Sequence, residues 1–175
     1  MALWVFCYGS LLWNPGFEVT ERQLATLKGY SRSFCMLSIH HRGTEEAPGL
    51  VLALDTAERS ECKGVAMRAA PGTEEATLAD LRERELISSA YYEVSLPIEL
   101  ESGAEIEALC YVIHREHRQY CRYELEEQAQ IIAKARGLRG PNPEYLHNTA
   151  AHLADLGVED PDLKWLSTRV RELCG

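Results

Sequence analysis

Up to residue 113, short apolar runs closed by polar or glycine-containing turns organise the chain, and helical periodicity takes over beyond them. Leu3 to Tyr8, "LWVFCY", opens this series and predicts a central strand. "YSRSFCMLSI" (30–39) alternates loosely and is rich in aromatic and aliphatic residues, which predicts another. "HHRGTEEAPG" then reads as a polar loop punctuated by Gly43, Pro48 and Gly49. Further strands are expected at "LVLAL" (50–54), "KGVAMRA" (63–69), "YYEVSLPIEL" (91–100) and "IEALCYVI" (106–113). They suit a mixed or antiparallel sheet that closes partly on itself, as a barrel.

Helices are expected between and after these strands. "TEEATLADLREREL" (73–86) starts with a capping Thr73 and with acids that complement the helix dipole. "YELEEQAQIIAKAR" (123–136) gathers Leu125, Ile131, Ile132 and Ala135 mostly on one face and ends at Gly137. "NPEYLHNTAAHLADLG" (142–157) has Asn142 as its N-cap, Pro143 in the first turn and Gly157 beyond its end. "DPDLKWLSTRVRELCG" (160–175) repeats that logic with Asp160 and Pro161. The fold class is therefore α+β, a mixed, partly closed sheet with flanking helices. Without an internal repeat or linker, residues 1–175 are expected to form a single domain.

Composition narrows the function classes. A chain of 175 residues with 46% apolar content can fill one core, and its 26% charged residues are spread through the sequence. The net charge of −9 argues against non-specific nucleic-acid binding, which needs clustered Lys and Arg. No apolar run approaches the roughly 20 residues that cross a bilayer, so no membrane partner is expected. The N-terminus shows no secretory pattern, and the six cysteines form no CxxC pair, so reduced thiols and a cytoplasmic location are expected.

Several short stretches could carry chemistry. Tyr8-Gly9-Ser10-Leu11 reads on spacing alone as a structural turn. The sharper alternative is a nest of backbone N–H groups at a strand end, with the Ser10 hydroxyl added. It is neither a Walker loop nor a GxSxG elbow, so a serine nucleophile is disfavoured. "RERE" (82–85) reads first as a solvated helix face; against that, Glu85 borders the apolar Leu86 and Ile87, where partial desolvation would favour a base. Glu83 stays open as the alternative. His114 and His117 read as surface histidines rather than metal ligands, and Arg42 beside His40 and His41 as either a surface cation or a carboxylate holder.

An ordered set of segments resembles one family. "WVFCYGSLLWNPGF" (4–17) is similar to the N-terminal signature of the ChaC-type γ-glutamylcyclotransferases, whose usual form is close to W-[IV]-F-G-Y-G-S-L-[IM]-W-[KN]-P. Here Cys7 stands where the family usually has glycine. "GYSRSFC" (29–35), "HRG…PG" (41–49) and "KGVAMR" (63–68) resemble later family segments in the same order. "REL" (84–86), with Tyr91 close behind, fits the Arg-Glu pair that ends the family's catalytic helix. "GPNPEYL" (140–146) resembles its Asn-x-x-Tyr-Leu segment.

The resemblance implies a γ-glutamylcyclotransferase-like fold and cleavage of glutathione to 5-oxoproline and cysteinylglycine. The α-amine of the glutamyl group would attack its own γ-carbonyl. Glu85 would shuttle the proton from that amine to the departing nitrogen. Tyr8, Gly9, Ser10 and Leu11 would grip the glutamyl moiety, Tyr145 would supply a phenolic hydrogen bond, and Arg42 would meet the carboxylate at the glycine end. No metal or cofactor is implied, and the expected partner is the small-molecule substrate. Two alternatives remain open: a cyclotransferase for other γ-glutamyl amines or amino acids, and a non-catalytic γ-glutamyl-binding regulatory module.

Overall fold

The apolar N-terminal run forms strand β1 (Trp4–Cys7), and a 3-10 turn follows at Ser10–Leu12. Two long strands come next, β2 (Val19–Ser38) and β3 (Gly49–Ala69), then helix α1 (Glu74–Glu85) and strands β4 (Tyr91–Leu100) and β5 (Glu105–Ile113). Helix α2 (Leu125–Lys134), the short strands β6 (Arg136–Gly137) and β7 (Gly140–Pro141), and helices α3 (Asn142–Asp155) and α4 (Pro161–Cys174) complete the chain. These elements belong to a computed structural model that describes residues 2–86 and 89–175. Ile87, the apolar neighbour expected beside Glu85, lies outside the described residues.

Two compact units are distinguished, one of residues up to Arg32 with Leu54–His117, the other of Ser33–Ala53 with Arg118–Gly175. In the first, the strands close a mixed barrel in the order β1-β3-β2-β4-β5. Strand β1 runs antiparallel to β3, with Cys7 opposite Val65, and parallel to β5, with Val5 opposite Leu109. Successive residues Val5–Cys7 of β1 and Ala108–Ile113 of β5 are buried, so both faces of these strands are covered, which is why "WVFC" and "ALCYVI" read as unbroken apolar runs rather than alternating ones. Strands β4 and β5 form a hairpin from Tyr91 opposite Ile113 to Glu99 opposite Glu105. Phe6, Leu27, Leu54, Met67, Ile98 and Tyr111 fill the core. The second unit packs α2, α3 and α4 against one another around Ile132, Leu146, Leu153 and Leu166.

The α+β class and the closed mixed sheet are those expected from the sequence. Some details differ. Segments 50–54 and 63–69 belong to one continuous strand, and 30–39 is the end of a strand that begins at Val19. Thr73 does sit at the N-cap of α1, but its hydroxyl donates back to Ala70 O at 2.6 Å instead of capping the helix. Helix α2 ends at Lys134, not at Gly137. Gly137 serves close packing instead: a Cβ there would strike the backbone of His41, Arg42 and Gly43. Asp160 caps α4 as expected, accepting from the Leu163 N–H at 3.1 Å. Asn142, however, is the first residue of α3 and directs its amide elsewhere.

Candidate active site

The first unit builds one candidate site at the end of β1. Val5, Phe6 and Cys7 are buried, and the chain then leaves the sheet through Tyr8 and Gly9, the latter at φ −141° and ψ −124°. Leu12 N–H donates to Gly9 O at 2.9 Å and Asn14 N–H to Ser10 O at 2.9 Å. Because the turn's own bonding begins at the Leu12 N–H, it uses neither the Ser10 nor the Leu11 amide. The buried side chains of Leu11 and Leu12 anchor the turn in the core. Tyr8 is held at both ends: its hydroxyl donates to Tyr111 O at 3.1 Å, and its carbonyl accepts from Arg32 Nη1 at 3.0 Å.

Helix α1 brings the acid. Only Thr77 and Leu81 of this helix are buried, so its placement depends on polar contacts in its last turn. Arg82 grips Glu93 of β4 through Nε at 3.1 Å and Nη2 at 2.8 Å. Arg84 reaches the turn after β1, where Nη1 donates to Asn14 O at 2.6 Å and Nη2 to Ser10 Oγ at 3.4 Å. Glu83 is exposed, whereas the Glu85 side chain is only 14% exposed and lies 3.6 Å from Arg84 Nε. The two acids of "RERE" are therefore in different environments, and Glu85 is the one that meets the arginine bonded to the Ser10 turn.

Charge effects on neighbouring groups locate Glu85 further. Burial first, and then the Glu85 charge, push the Cys7 thiol well above its ordinary range. Burial, then Glu93, then Glu85 raise the Tyr111 phenol, whose hydroxyl donates to Glu93 Oε1 at 3.0 Å. Burial also pushes the Cys110 thiol up to about 12. The unfolded chain loses these protons at lower pH than the folded one, so stability is expected to fall as pH rises past the ordinary thiol value of 9.0. Denaturant midpoints on the two sides of that value measure the fall, and Cys110→Ala should lessen it.

In the second unit, Arg42 and Tyr145 form a separate cluster. The Arg42 side chain, 6% exposed, donates from Nη1 to Pro141 O at 3.0 Å and lies 3.7 Å from Glu144. Its guanidinium sits 5.9 Å from the centre of the Tyr145 ring. The Tyr145 hydroxyl accepts from the Leu52 N–H at 3.1 Å, and Phe34 meets the ring edge-on at 6.0 Å.

Tyr8, Gly9, Ser10, Leu11 and Glu85 thus share one unit, and Arg42 and Tyr145 share the other. Arg84, Tyr111 and Glu93 were not singled out by sequence reasoning. Arg84 looked like part of a solvated charge run, and Tyr111 is hidden inside an apolar strand. The Arg-Glu pair at 84–85 was the available signal for the former.

A barrel strand ending in a turn with two amides unused by that turn, joined through Arg84 to a half-buried carboxylate, is an arrangement suited to acid–base chemistry on a small molecule. Residues 3–173 match the family model described as ChaC-like protein, and the chain belongs to that family. The glutathione-specific gamma-glutamylcyclotransferase of Escherichia coli (strain K12) is 36% identical over 175 residues, spanning 98% of this chain and 74% of the relative. Gamma-glutamylcyclotransferase 2-3 of Arabidopsis thaliana is 32% identical, spanning 99% of this chain and 90% of its own. The crystal structure of a yeast gamma-glutamyl cyclotransferase specific to glutathione superposes with a TM-score of 0.87 at 22% identity, over 100% of both chains. That likeness establishes the fold. Among the described residues, no helix is long and apolar enough to cross a membrane.

Proposed function

We propose that this protein is a γ-glutamylcyclotransferase that cleaves glutathione to 5-oxoproline and cysteinylglycine. The observation that carries the proposal is the half-buried Glu85, tied through Arg84 to the Ser10 turn. The glutamyl α-amine attacks its own γ-carbonyl carbon, forming the ring N–C bond as the bond to the cysteinyl nitrogen breaks. Glu85 removes the proton released by the amine and returns it to the departing nitrogen, so no water is consumed. The Ser10 and Leu11 amides, with Gly9, the Ser10 hydroxyl and Tyr8, hold the glutamyl group folded, which brings amine and carbonyl together.

The names of the E. coli and Arabidopsis relatives support the reaction, and that of E. coli supports glutathione as substrate. The six cysteines are free thiols, which agrees with a reducing cytoplasm as the site of action. The test is incubation of the purified chain with glutathione, following both products. Equal amounts of 5-oxoproline and cysteinylglycine are expected. Glutamate in place of 5-oxoproline would mean hydrolysis. Turnover of other γ-glutamyl compounds but not glutathione would reassign the leaving group.

A further inference from the structure

We propose that Arg84 is a positioning residue that locks the glutamyl-gripping turn to the helix end carrying Glu85. This rests on the cyclotransferase reading of the site. The turn follows β1 and the acid ends α1, so the two halves of the site come from segments far apart in sequence. Something must set their separation, because ring closure depends on where the folded substrate lies relative to the base. One guanidinium touches both: Asn14 O at 2.6 Å and Ser10 Oγ at 3.4 Å on the turn, and Glu85 Oε1 at 3.6 Å on the helix.

Three features separate this from an ordinary surface contact. Adjacent residues on a helix do not face each other, yet the Arg84 and Glu85 side chains converge at the end of α1. The shortest bond goes to a backbone carbonyl, so it fixes the chain itself rather than another mobile side chain. The chain is also shaped to receive the guanidinium. Gly16 has φ +76°, and a Cβ there would lie 3.3 Å from Arg84 Nη1. Arginine suits the task because its planar fork serves several acceptors in fixed directions, whereas lysine offers one flexible point charge.

The turn keeps its own hydrogen bonds without Arg84, so substrate binding should survive while alignment with Glu85 is lost. Arg84→Gln is therefore expected to lower kcat about a hundredfold and to leave KM within about threefold of wild type. Arg84→Lys retains the charge without the fork and should recover little of that loss. Hydrogen exchange supplies a readout independent of turnover: the hydrogen-bonded amides of Leu12, Trp13 and Asn14 should open more often and exchange at least about tenfold faster in Arg84→Gln, with the β4–β5 hairpin unchanged as the folding control. Unchanged exchange in the turn, kcat close to wild type, or full recovery by lysine would each overturn the inference. Absence of 5-oxoproline release by wild type would remove the cyclotransferase reading, and with it the catalytic role assigned here. The exchange comparison would still decide whether Arg84 fixes the turn.

Discussion

Glu85→Gln is expected to release 5-oxoproline from glutathione about 10²- to 10⁴-fold more slowly than wild type, the range for loss of a positioned general base. The substitution keeps the size and hydrogen-bonding reach of the side chain and removes its ability to take a proton. Glutathione should still bind, because the proposed grip on the glutamyl group lies in the turn after β1. Glu83→Gln is the matched control. It lies on the same helix two residues earlier, but it is exposed, and its rate should stay within about twofold of wild type. Single-turnover measurement with both variants separates loss of chemistry from loss of binding. Equal rates for Glu85→Gln and wild type would remove Glu85 from the proton transfer. A large loss in Glu83→Gln instead would move the base by two residues.

The parts of the fold that were legible in the sequence are those whose residues report burial directly. β1 and the second half of β5 show apolar runs because they are buried, β4 shows strand-forming aromatic and aliphatic residues with only Ile98 and Leu100 buried, and the expected limits of all three lie within a residue or two of those observed. The beginning of β2 and the middle of β3 were missed for the same physical reason. "VTERQLATLKG" and "DTAERSEC" carry charged residues that are exposed or half-buried, apart from the buried Asp55 paired with Arg115, so their strand geometry is fixed by neighbouring strands rather than by their own apolar pattern. At the candidate site, the glycine-serine turn and the buried-side acid had visible signals. For Arg84 the Arg-Glu pair marked the residue but not its role, because the difference between a solvated arginine and one that spans two segments lies in which distant carbonyl it meets.

Asn142 shows how a side chain read as a local cap can instead join distant segments, and its substitution should carry the largest stability cost predicted here. The residue is fully buried, its Nδ2 donates to Leu50 O at 2.9 Å, and its Oδ1 accepts from the Leu50 N–H at 2.8 Å. The amide therefore pairs with β3 as another strand would. Asn142→Leu, similar in size, leaves both backbone groups of Leu50 buried without these partners. At about 1–3 kcal/mol for each, the expected loss is about 3 kcal/mol, read from the urea midpoint at constant slope. Asn142→Asp provides the sharper check. A protonated carboxyl can reproduce the donor and acceptor pair, while a carboxylate turns an acceptor toward Leu50 O. The folded state thus favours the protonated form, and the deficit should be smallest near the ordinary Asp range and grow as pH rises above it. A pH-independent deficit would show that the pairing is not what Asn142 contributes. The same geometry explains the Asn-x-x-Tyr spacing. Tyr145, one helical turn further on, accepts from the Leu52 N–H two residues along the same strand, so one face of α3 meets alternate residues of β3. Loss of Asn142 should therefore also loosen the Tyr145 ring and its bond to the Leu52 N–H.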